Sequence, residues 1–443
     1  MDRMNVLLIS TYELGRQPFG LASPAAWLAS SGHQVICADL SIEALPEDAM
    51  RSAGLIALHL PMHTATRLAV RAIDKIRKLN PNVHICCFGL YAPLNESYLR
   101  KLGVETLLGG EFEPGLLGLA AQLAQGSCPS ETVVSLDRLQ FRTPARAGLP
   151  PLEQYAELRV NGNTKLAGYT EASRGCKHLC RHCPVVPVYR GAFRIVQPAV
   201  VIEDVRQQVA AGAEHISFGD PDFFNGPTHA MRIVEALHQE FPSLTYDATI
   251  KIEHLGKHRE LLPRLKGTGC VFVTSAVESV DDEVLGKLEK GHTRADFLEV
   301  VRYFRGAGLA LAPTFIPFTP WTTRESYREL LAVLLEQDLV ENVAPIQLAL
   351  RLLITNGSRL LELEDVRAVV TGFDEPALLH RWRHPDAGVD RLAAQALKLA
   401  GQPGSRREIF EKMWRLASDQ PLPDNFDLLP RAAIPYMDEP WYC

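Results

Sequence analysis

The sequence predicts an α/β protein in which a doubly wound parallel domain precedes a full or partial βα barrel and a helical C-terminal region. Apolar runs of strand length alternate with amphipathic helical patterns over residues 5–125, and the same alternation resumes at residue 169. The 443 residues, 47% hydrophobic and 22% charged, suffice for two or three domains and are not typical of a disordered chain.

The first region starts with an apolar run at residues 5–10, which predicts a buried strand. Helices are expected at residues 23–30 and 66–79, and further strands at residues 35–38, 55–59 and 83–88. This alternation is typical of a parallel sheet covered by helices on both faces. Because no glycine-rich fingerprint follows the first strand, a purely structural domain and one that binds a nucleotide or cofactor both remain open.

The apolar period is lost over residues 126–165, where Pro, Ser, Thr and Gly recur, and this stretch is interpreted as a linker. Beyond it, helices are expected at residues 201–211 and 294–307. The barrel strands are predicted at residues 215–218, 246–250, 270–276, 310–316 and 345–353. We therefore divide the chain into a first domain (1–127), a linker (128–165), a barrel (166–365) and a helical region with a flexible tail (366–443).

Charge and composition exclude several classes of protein. The net charge of -6 argues against a nucleic-acid partner. No run approaches the roughly 18 apolar residues that a membrane span needs, and the apolar start is too short for a signal peptide. The nine cysteines are odd in number and do not have the spacing of a small disulfide scaffold. These features predict a cytoplasmic protein whose cysteines are reduced or bind metal.

Three cysteines stand close together in a CxxxCxxC spacing, namely Cys176, Cys180 and Cys183. Thiolates select zinc or iron–sulfur centres. A structural zinc site would need a fourth ligand, which His178 or His182 could supply. Three cysteines on a [4Fe-4S] cluster would instead leave one iron open to a substrate or cofactor, and the spacing favours this second interpretation.

The cysteine loop, placed after the first strand of a βα barrel, resembles the hallmark of the radical S-adenosylmethionine (SAM) superfamily. The residue before the third cysteine, usually aromatic in that superfamily, is here His182. The resemblance implies that the three cysteines hold a [4Fe-4S] cluster, and that SAM binds the open iron and is cleaved reductively at a C–S bond. It covers roughly residues 165–330.

The same resemblance implies further SAM-binding residues. Phe218, Gly219 and Asp220 match the second-strand segment that holds the SAM amino group, and Lys251 stands where a basic residue often lies near the SAM carboxylate. Glu278 and Ser279, followed by a Lys-Gly pair at residues 290–291, resemble the fourth-strand motif of the family. The alternative interpretation is that Asp220 and Glu278 are helix-capping or surface acidic residues that do not bind SAM.

The first domain resembles the cobalamin-binding domain that precedes many radical SAM barrels. The segment Gly110-Glu111-Phe112-Glu113 is similar to the GEGE segment at the end of that domain, but the DxHxxG signature of a cobalt-binding histidine is absent. The usual glycine pair is reduced to Gly89, followed by the bulky Leu90 and Tyr91. We therefore expect a retained fold with lost or weakened cobalamin binding.

The C-terminus resembles the approach to the tail of radical SAM proteins named for a CUAEP or CCAEP ending. The sequence stops at Cys443, where that tail begins. A characterised branch of this subfamily forms a carbon–arsenic bond in the arsinothricin pathway. The resemblance implies transfer of the 3-amino-3-carboxypropyl group of SAM to arsenite, with Cys443 as a catalytic thiol that delivers this thiophilic substrate.

The leading hypothesis is thus a radical SAM transferase acting on a small molecule, arsenite, with an electron donor such as flavodoxin or ferredoxin. A second hypothesis is a cobalamin-dependent radical SAM methyltransferase or cyclase acting on a small natural product. A third, from another class, is a non-enzymatic zinc-binding module.

Overall fold

A computed structural model describes residues 3–422 and 434–438. The first domain is a parallel sheet of six strands in the order β2-β1-β3-β4-β5-β6. Its strands are β1 (Asn5–Ser10), β2 (Gln34–Asp39), β3 (Leu55–His59), β4 (His84–Phe88), β5 (Thr106–Gly110) and β6 (Thr132–Ser135). Its helices are α1 (Phe19–Ser30), α2 (Glu47–Ser52), α3 (His63–Leu79), α4 (Tyr91–Leu94), α5 (Glu96–Lys101) and α6 (Glu113–Ala124).

Helices cover both faces of this sheet because its central strands are apolar on both sides. Along β1, Leu7 and Ile9 face one core while Val6 and Leu8 face the other, as the two-residue period of a strand requires. The order in which strands are added reverses between β1 and β3, because β2 lies on one side of β1 and β3 on the other; we call this point the chain reversal. In open parallel sheets, the crevice outside the carboxyl ends of the strands at such a point is the usual binding site.

Residues 128–165 contribute strands to both domains. β6 extends the first sheet, and β7 (Glu157–Val160) pairs antiparallel with β8 (Asn163–Thr170) of the second. β6 lies at the edge of the first sheet and is partly exposed, so its residues need not follow an apolar period.

The second sheet has seven strands in the order β14-β13-β12-β11-β8-β7-β17, where β17 is Tyr436–Met437, and the five strands from β14 to β8 are parallel. After β8 come β9 (Ser173–Gly175), α7 (Val185–Tyr189), β10 (Phe193–Ile195), α8 (Pro198–Ala210), β11 (His215–Phe218), α9 (Pro227–Glu240), β12 (Thr245–Thr249), α10 (Ile252–Lys257), α11 (Leu262–Gly267), β13 (Cys270–Glu278), α12 (Asp282–Lys287), α13 (Arg294–Ala307) and β14 (Ala310–Phe315). This curled sheet with outer helices is the expected partial βα barrel.

The strand predicted at residues 345–353 is wrong. The chain there forms a short 3₁₀ helix, Pro345–Leu348. After it, Arg351 forms an isolated β-bridge with Phe318, which follows the end of β14. Proline offers no N–H to a strand ladder. The Gln347 side chain instead accepts a hydrogen bond from Phe315 N at 3.1 Å.

The C-terminal region contains α14 (Arg324–Glu336), α15 (Glu364–Val369), α16 (Ala387–Ala400) and α17 (Arg406–Ala417), together with a hairpin of β15 (Val370–Asp374) and β16 (Leu379–Trp382). The short strand β17 (Tyr436–Met437) pairs antiparallel with β7. No helix among the described residues is long and apolar enough to span a membrane.

Candidate active site at the mouth of the partial barrel

The three predicted cluster ligands lie on one loop between β9 and α7. Cys176, Cys180 and Cys183 are all unbridged thiols. Burial, together with the nearby Cys180 and Cys176, raises the pKa of Cys183 to about 12. Thiols grouped in this way release their protons readily to a metal centre, because a cation offsets the cost of bringing three negative charges together.

Asn225 and Gly175 shape this loop. The fully buried Asn225 amide accepts a hydrogen bond from Lys177 N at 3.1 Å and donates to Gly175 O at 3.3 Å. Gly175 has φ +74°, and a Cβ atom there would lie 2.5 Å from Ala192 O, so only glycine fits. The loop is therefore shaped by contacts that do not involve the cysteine side chains.

Glu278 stands at the carboxyl end of β13, beside the cysteine loop. Its Oε1 atom lies 3.2 Å from Lys290 Nζ and 3.1 Å from His182 Nε2. Burial raises the pKa of Glu278, but the Lys290 ammonium and His182 outweigh it and lower the pKa to about 2. Glu278 is thus a buried carboxylate, held at φ +69° where the β13–β14 register shifts, and such strained residues are concentrated at functional sites.

Asp220 is held differently. Its Oδ1 accepts a hydrogen bond from Ser173 Oγ at 2.5 Å, and its Oδ2 accepts one from Ala172 N at 2.9 Å. Burial raises the pKa of Asp220 to about 7. Both oxygens therefore hold the segment that leads into the cysteine loop, and the contact of Asp220 with SAM stays a prediction.

The remaining predicted SAM-binding residues occupy several positions. Lys251 is buried, with Nζ 3.4 Å from Glu253 Oε2. Phe218 and Gly219 line a cavity inside the barrel. Ser279 Oγ accepts a hydrogen bond from Asp281 N at 3.0 Å, so it shapes the turn into α12. The predicted catalytic Cys443 lies outside the described residues.

Sequence reasoning missed Arg174, two residues before Cys176. Its guanidinium is 6% exposed and pairs with three buried or half-buried carboxylates, those of Glu111, Glu113 and Glu171. Burial raises the pKa of Glu111 to about 7, although Arg174 opposes this. The two glutamates of the GEFE segment were a signal for this cluster, but a sequence does not show which cation they contact.

Two adjoining cavities lie next to this site. The interdomain cavity has a volume of about 280 Å³ and lies between the carboxyl edge of the first sheet and the loop that precedes Cys176. Glu13 Oε1 and His59 Nδ1, from either side of the chain reversal, lie 2.7 Å apart in its wall. The barrel cavity shares several lining residues with it, namely Leu14, Arg16, Tyr169 and Gly219.

The bulky residues after β4 do not both face the interdomain cavity. Leu90 lines it, whereas Tyr91 is 5% exposed and packs in the core of the first domain. The cavity lies outside the carboxyl ends of the first sheet at the chain reversal, so its position fits a cofactor placed between the two domains. The three grouped thiols likewise fit a [4Fe-4S] cluster.

Comparison with known proteins identifies the class of the barrel. The model of the radical SAM superfamily matches residues 170–334. This match supports the radical SAM interpretation of the segment, and that superfamily implies a [4Fe-4S] cluster and SAM as cofactors.

Among curated relatives, the chain is 25% identical over 335 residues to the hopanoid C-3 methylase of Methylococcus capsulatus, covering 71% of this chain and 64% of that protein. It is also 25% identical over 182 residues to the ribosomal protein uS12 methylthiotransferase RimO of Geobacter sulfurreducens, covering 39% of this chain and 40% of the relative. The chain thus spans less than two thirds of the length of these two relatives.

Solved structures of two enzymes share the architecture. The cobalamin-dependent SAM radical enzyme OxsB, with aqua-cobalamin and SAM bound, matches with a TM-score of 0.70 at 14% identity, covering 89% of this chain and 66% of that one. The radical SAM methyltransferase TsrM of Kitasatospora setae, with tryptophan and aza-SAM bound, gives 0.67 at 17% identity, covering 91% and 89%. These likenesses establish the fold alone: a parallel-sheet domain followed by a partial βα barrel.

Proposed function

We propose that the chain is a radical SAM transferase that moves a group of SAM to a small molecule held between the first domain and the barrel. One observation carries this proposal. The residues directly before Cys176, among them Ser173, Arg174 and Gly175, form part of the wall of the interdomain cavity. Chemistry started at the cysteine loop would therefore take place beside that space, away from bulk water.

The cluster, when bound by Cys176, Cys180 and Cys183, supplies the electron that breaks a C–S bond of SAM. The side chains of the protein bind and orient SAM. The buried Lys251 and Lys290 lie near the thiols and stabilise their thiolate form. Their positive charges would also attract the carboxylate of bound SAM. Glu278 is the nearby anion, suited to the positive charge of SAM.

The first candidate reaction is methyl transfer with cobalamin. The interdomain cavity at the chain reversal favours it, as do relatives named as a methylase and a methyltransferase. Leu90, Phe112 and Tyr189 would contact the cofactor from the cavity wall. Cobalamin, when bound, supplies a carrier for the methyl group.

The second candidate is transfer of the 3-amino-3-carboxypropyl group to arsenite, and the position of β17 favours it. Tyr436 and Met437 line the barrel cavity, and Asp438 is held by Arg159 at 2.7 Å. Cys443 is the fifth residue after Asp438. An extended segment of that length reaches about 17 Å, so the terminal thiol can reach the cavity.

One experiment separates these reactions. Cluster-loaded protein is incubated anaerobically with SAM and reduced flavodoxin, with or without cobalamin and with or without arsenite. Cobalamin-dependent release of S-adenosylhomocysteine, the product left when SAM loses its methyl group, together with 5′-deoxyadenosine supports radical methyl transfer. Release of 5′-methylthioadenosine together with an arsenic-containing amino acid supports the second reaction. Intact cluster with no SAM cleavage under any of these conditions contradicts the proposal.

Matched variants test the terminal thiol. Cys443→Ser should abolish any product formed from arsenite and leave the iron content unchanged. Cys128→Ser, which changes an exposed thiol elsewhere on the chain, should have no effect on either. Full arsenite-dependent activity in Cys443→Ser would exclude a role for the tail thiol.

A further inference from the structure

Three side chains from separate parts of the chain meet at the cysteine loop, and none of them is a cysteine. His178 lies on that loop, Asp222 follows β11, and His254 lies on α10. Each offers one ligand atom, and these atoms all lie within 4.8 Å of one another. His254 Nδ1 is 2.7 Å and His178 Nε2 is 3.6 Å from Asp222 Oδ2.

The atoms that face one another have no hydrogen-bond partner. His178 Nε2, Asp222 Oδ2 and His254 Nδ1 are all buried and unsatisfied among the described residues, since the short approach between Asp222 and His254 lacks the direction of a hydrogen bond. Asp222 is fully buried and His254 is 8% exposed. Unsatisfied buried polar atoms are costly and rare in native proteins, so three that lie within 4.8 Å of one another require an explanation.

The other polar atoms of two of these side chains are held in place. Asp222 Oδ1 accepts hydrogen bonds from Phe224 N at 3.2 Å and from Lys251 N at 3.4 Å. His178 Nδ1 lies 3.5 Å from Glu253 Oε2. A histidine whose second nitrogen faces a carboxylate is the usual outer contact of a metal-binding imidazole, because the carboxylate fixes the ring and its tautomer.

We propose that His178, Asp222 and His254 bind a divalent first-row transition metal ion, separate from the iron–sulfur cluster. Ligand atoms on one such ion lie about 2.0–2.2 Å from it and therefore about 3–3.5 Å from each other. The distances of 2.7 and 3.6 Å to Asp222 Oδ2 bracket this range. Two imidazoles and one carboxylate suit zinc or iron(II) and leave at least one coordination position open.

The proposal does not depend on which group of SAM is transferred. The ion would join the cysteine loop to the segments after β11 and β12, and one of its ligands lies between two predicted cluster ligands. It would therefore connect the cysteine loop to two barrel segments that the cysteines themselves do not contact.

Zinc sulfate is the first probe. Cluster-loaded protein is treated with a chelator, titrated with zinc by calorimetry, and analysed for zinc, iron and sulfide. We expect about one zinc per chain beyond the cluster. His254→Gln and Asp222→Asn should each weaken zinc binding at least about tenfold while iron and sulfide stay unchanged.

The matched control is His258→Gln. Its ring lies 6.2 Å from that of His254 and outside the ligand set, so zinc binding should be retained. Absence of zinc binding by the unaltered protein, or equal binding by His254→Gln, overturns the proposal. If Asp222→Asn fails to fold, His178→Gln replaces it in the comparison.

Cobalt(II) gives a second measurement that needs no variant. Cobalt bound by two histidines and an aspartate should show only weak ligand-field absorption. A strong thiolate-to-cobalt charge-transfer band would place the ion on the cysteines and overturn the proposal.

Discussion

Arg174 Nη2 lies 2.7 Å from Glu113 Oε1, and this ion pair joins the cysteine loop to the first domain. A second contact between the same side chains, Nη1 to Oε2, measures 3.0 Å. Arg174 also contacts the rings of Phe112 and Phe141. The position of the cysteine loop is therefore coupled to the end of the first sheet.

Replacing Arg174 with methionine should destabilise the protein by about 3–5 kcal/mol, because three carboxylates lose their shared cation in a buried place. The measurement is the urea midpoint of unfolding with the cluster intact. Arg206→Met is the control, since this exposed arginine pairs only with exposed glutamates and its loss should change little. Equal midpoints for both variants would contradict a central role for Arg174.

Glu111 and Asp220 should contribute a loss of stability as the pH rises from about 5 to about 7.5, whereas buried histidines such as His292, whose pKa burial lowers to about 4, act in the opposite direction below about pH 6.5. The pKa of Glu111 is about 7 in the folded chain, above its ordinary value near 4.5. The folded state therefore binds more protons than the unfolded state in this range, and raising the pH favours unfolding. Asp220, with a pKa of about 7, acts in the same direction.

Glu111→Gln should flatten this pH dependence in part, leaving the contribution of Asp220. Melting temperatures across that pH range provide the measurement, and Glu203→Gln, an exposed change, should retain the full slope. A Glu111→Gln protein with an unchanged slope would show that Glu111 is not the group that titrates.

Cys183→Ala should lose the cluster, because two thiolates do not hold four irons in this loop. Iron and sulfide content and the brown absorbance of the purified protein give the measurement. Cys270→Ala removes a buried thiol that belongs to the barrel core and should keep the cluster. A Cys183→Ala protein that keeps its colour and cleaves SAM normally would refute the ligand assignment.

Glu278→Gln should weaken SAM binding by about tenfold or more, since it removes the buried carboxylate paired with Lys290. Equilibrium binding of SAM to the oxidised cluster-loaded protein tests this without turnover. Ser279→Ala should bind SAM nearly as well, because its hydroxyl is engaged with Asp281 N. The reverse order of effects would assign the contact to Ser279.

Local pattern was sufficient to predict much of the fold. The apolar runs at residues 5–10, 55–59 and 83–88 became β1, β3 and β4 because strands buried on both faces are continuously apolar. The predicted helix at residues 66–79 forms as α3 but begins three residues earlier, at His63, since helix ends depend on contacts that a period does not show.

The sequence by itself determined the class of the barrel, because the CxxxCxxC spacing of Cys176, Cys180 and Cys183 is a local property of one loop. Only the tertiary structure decided which distant groups meet that loop. Arg174 meets Glu113 from another domain, and His178 meets Asp222 and His254 from two later βα units. Such pairings depend on how parallel strands bring their carboxyl ends to one edge, which no single segment of the sequence encodes.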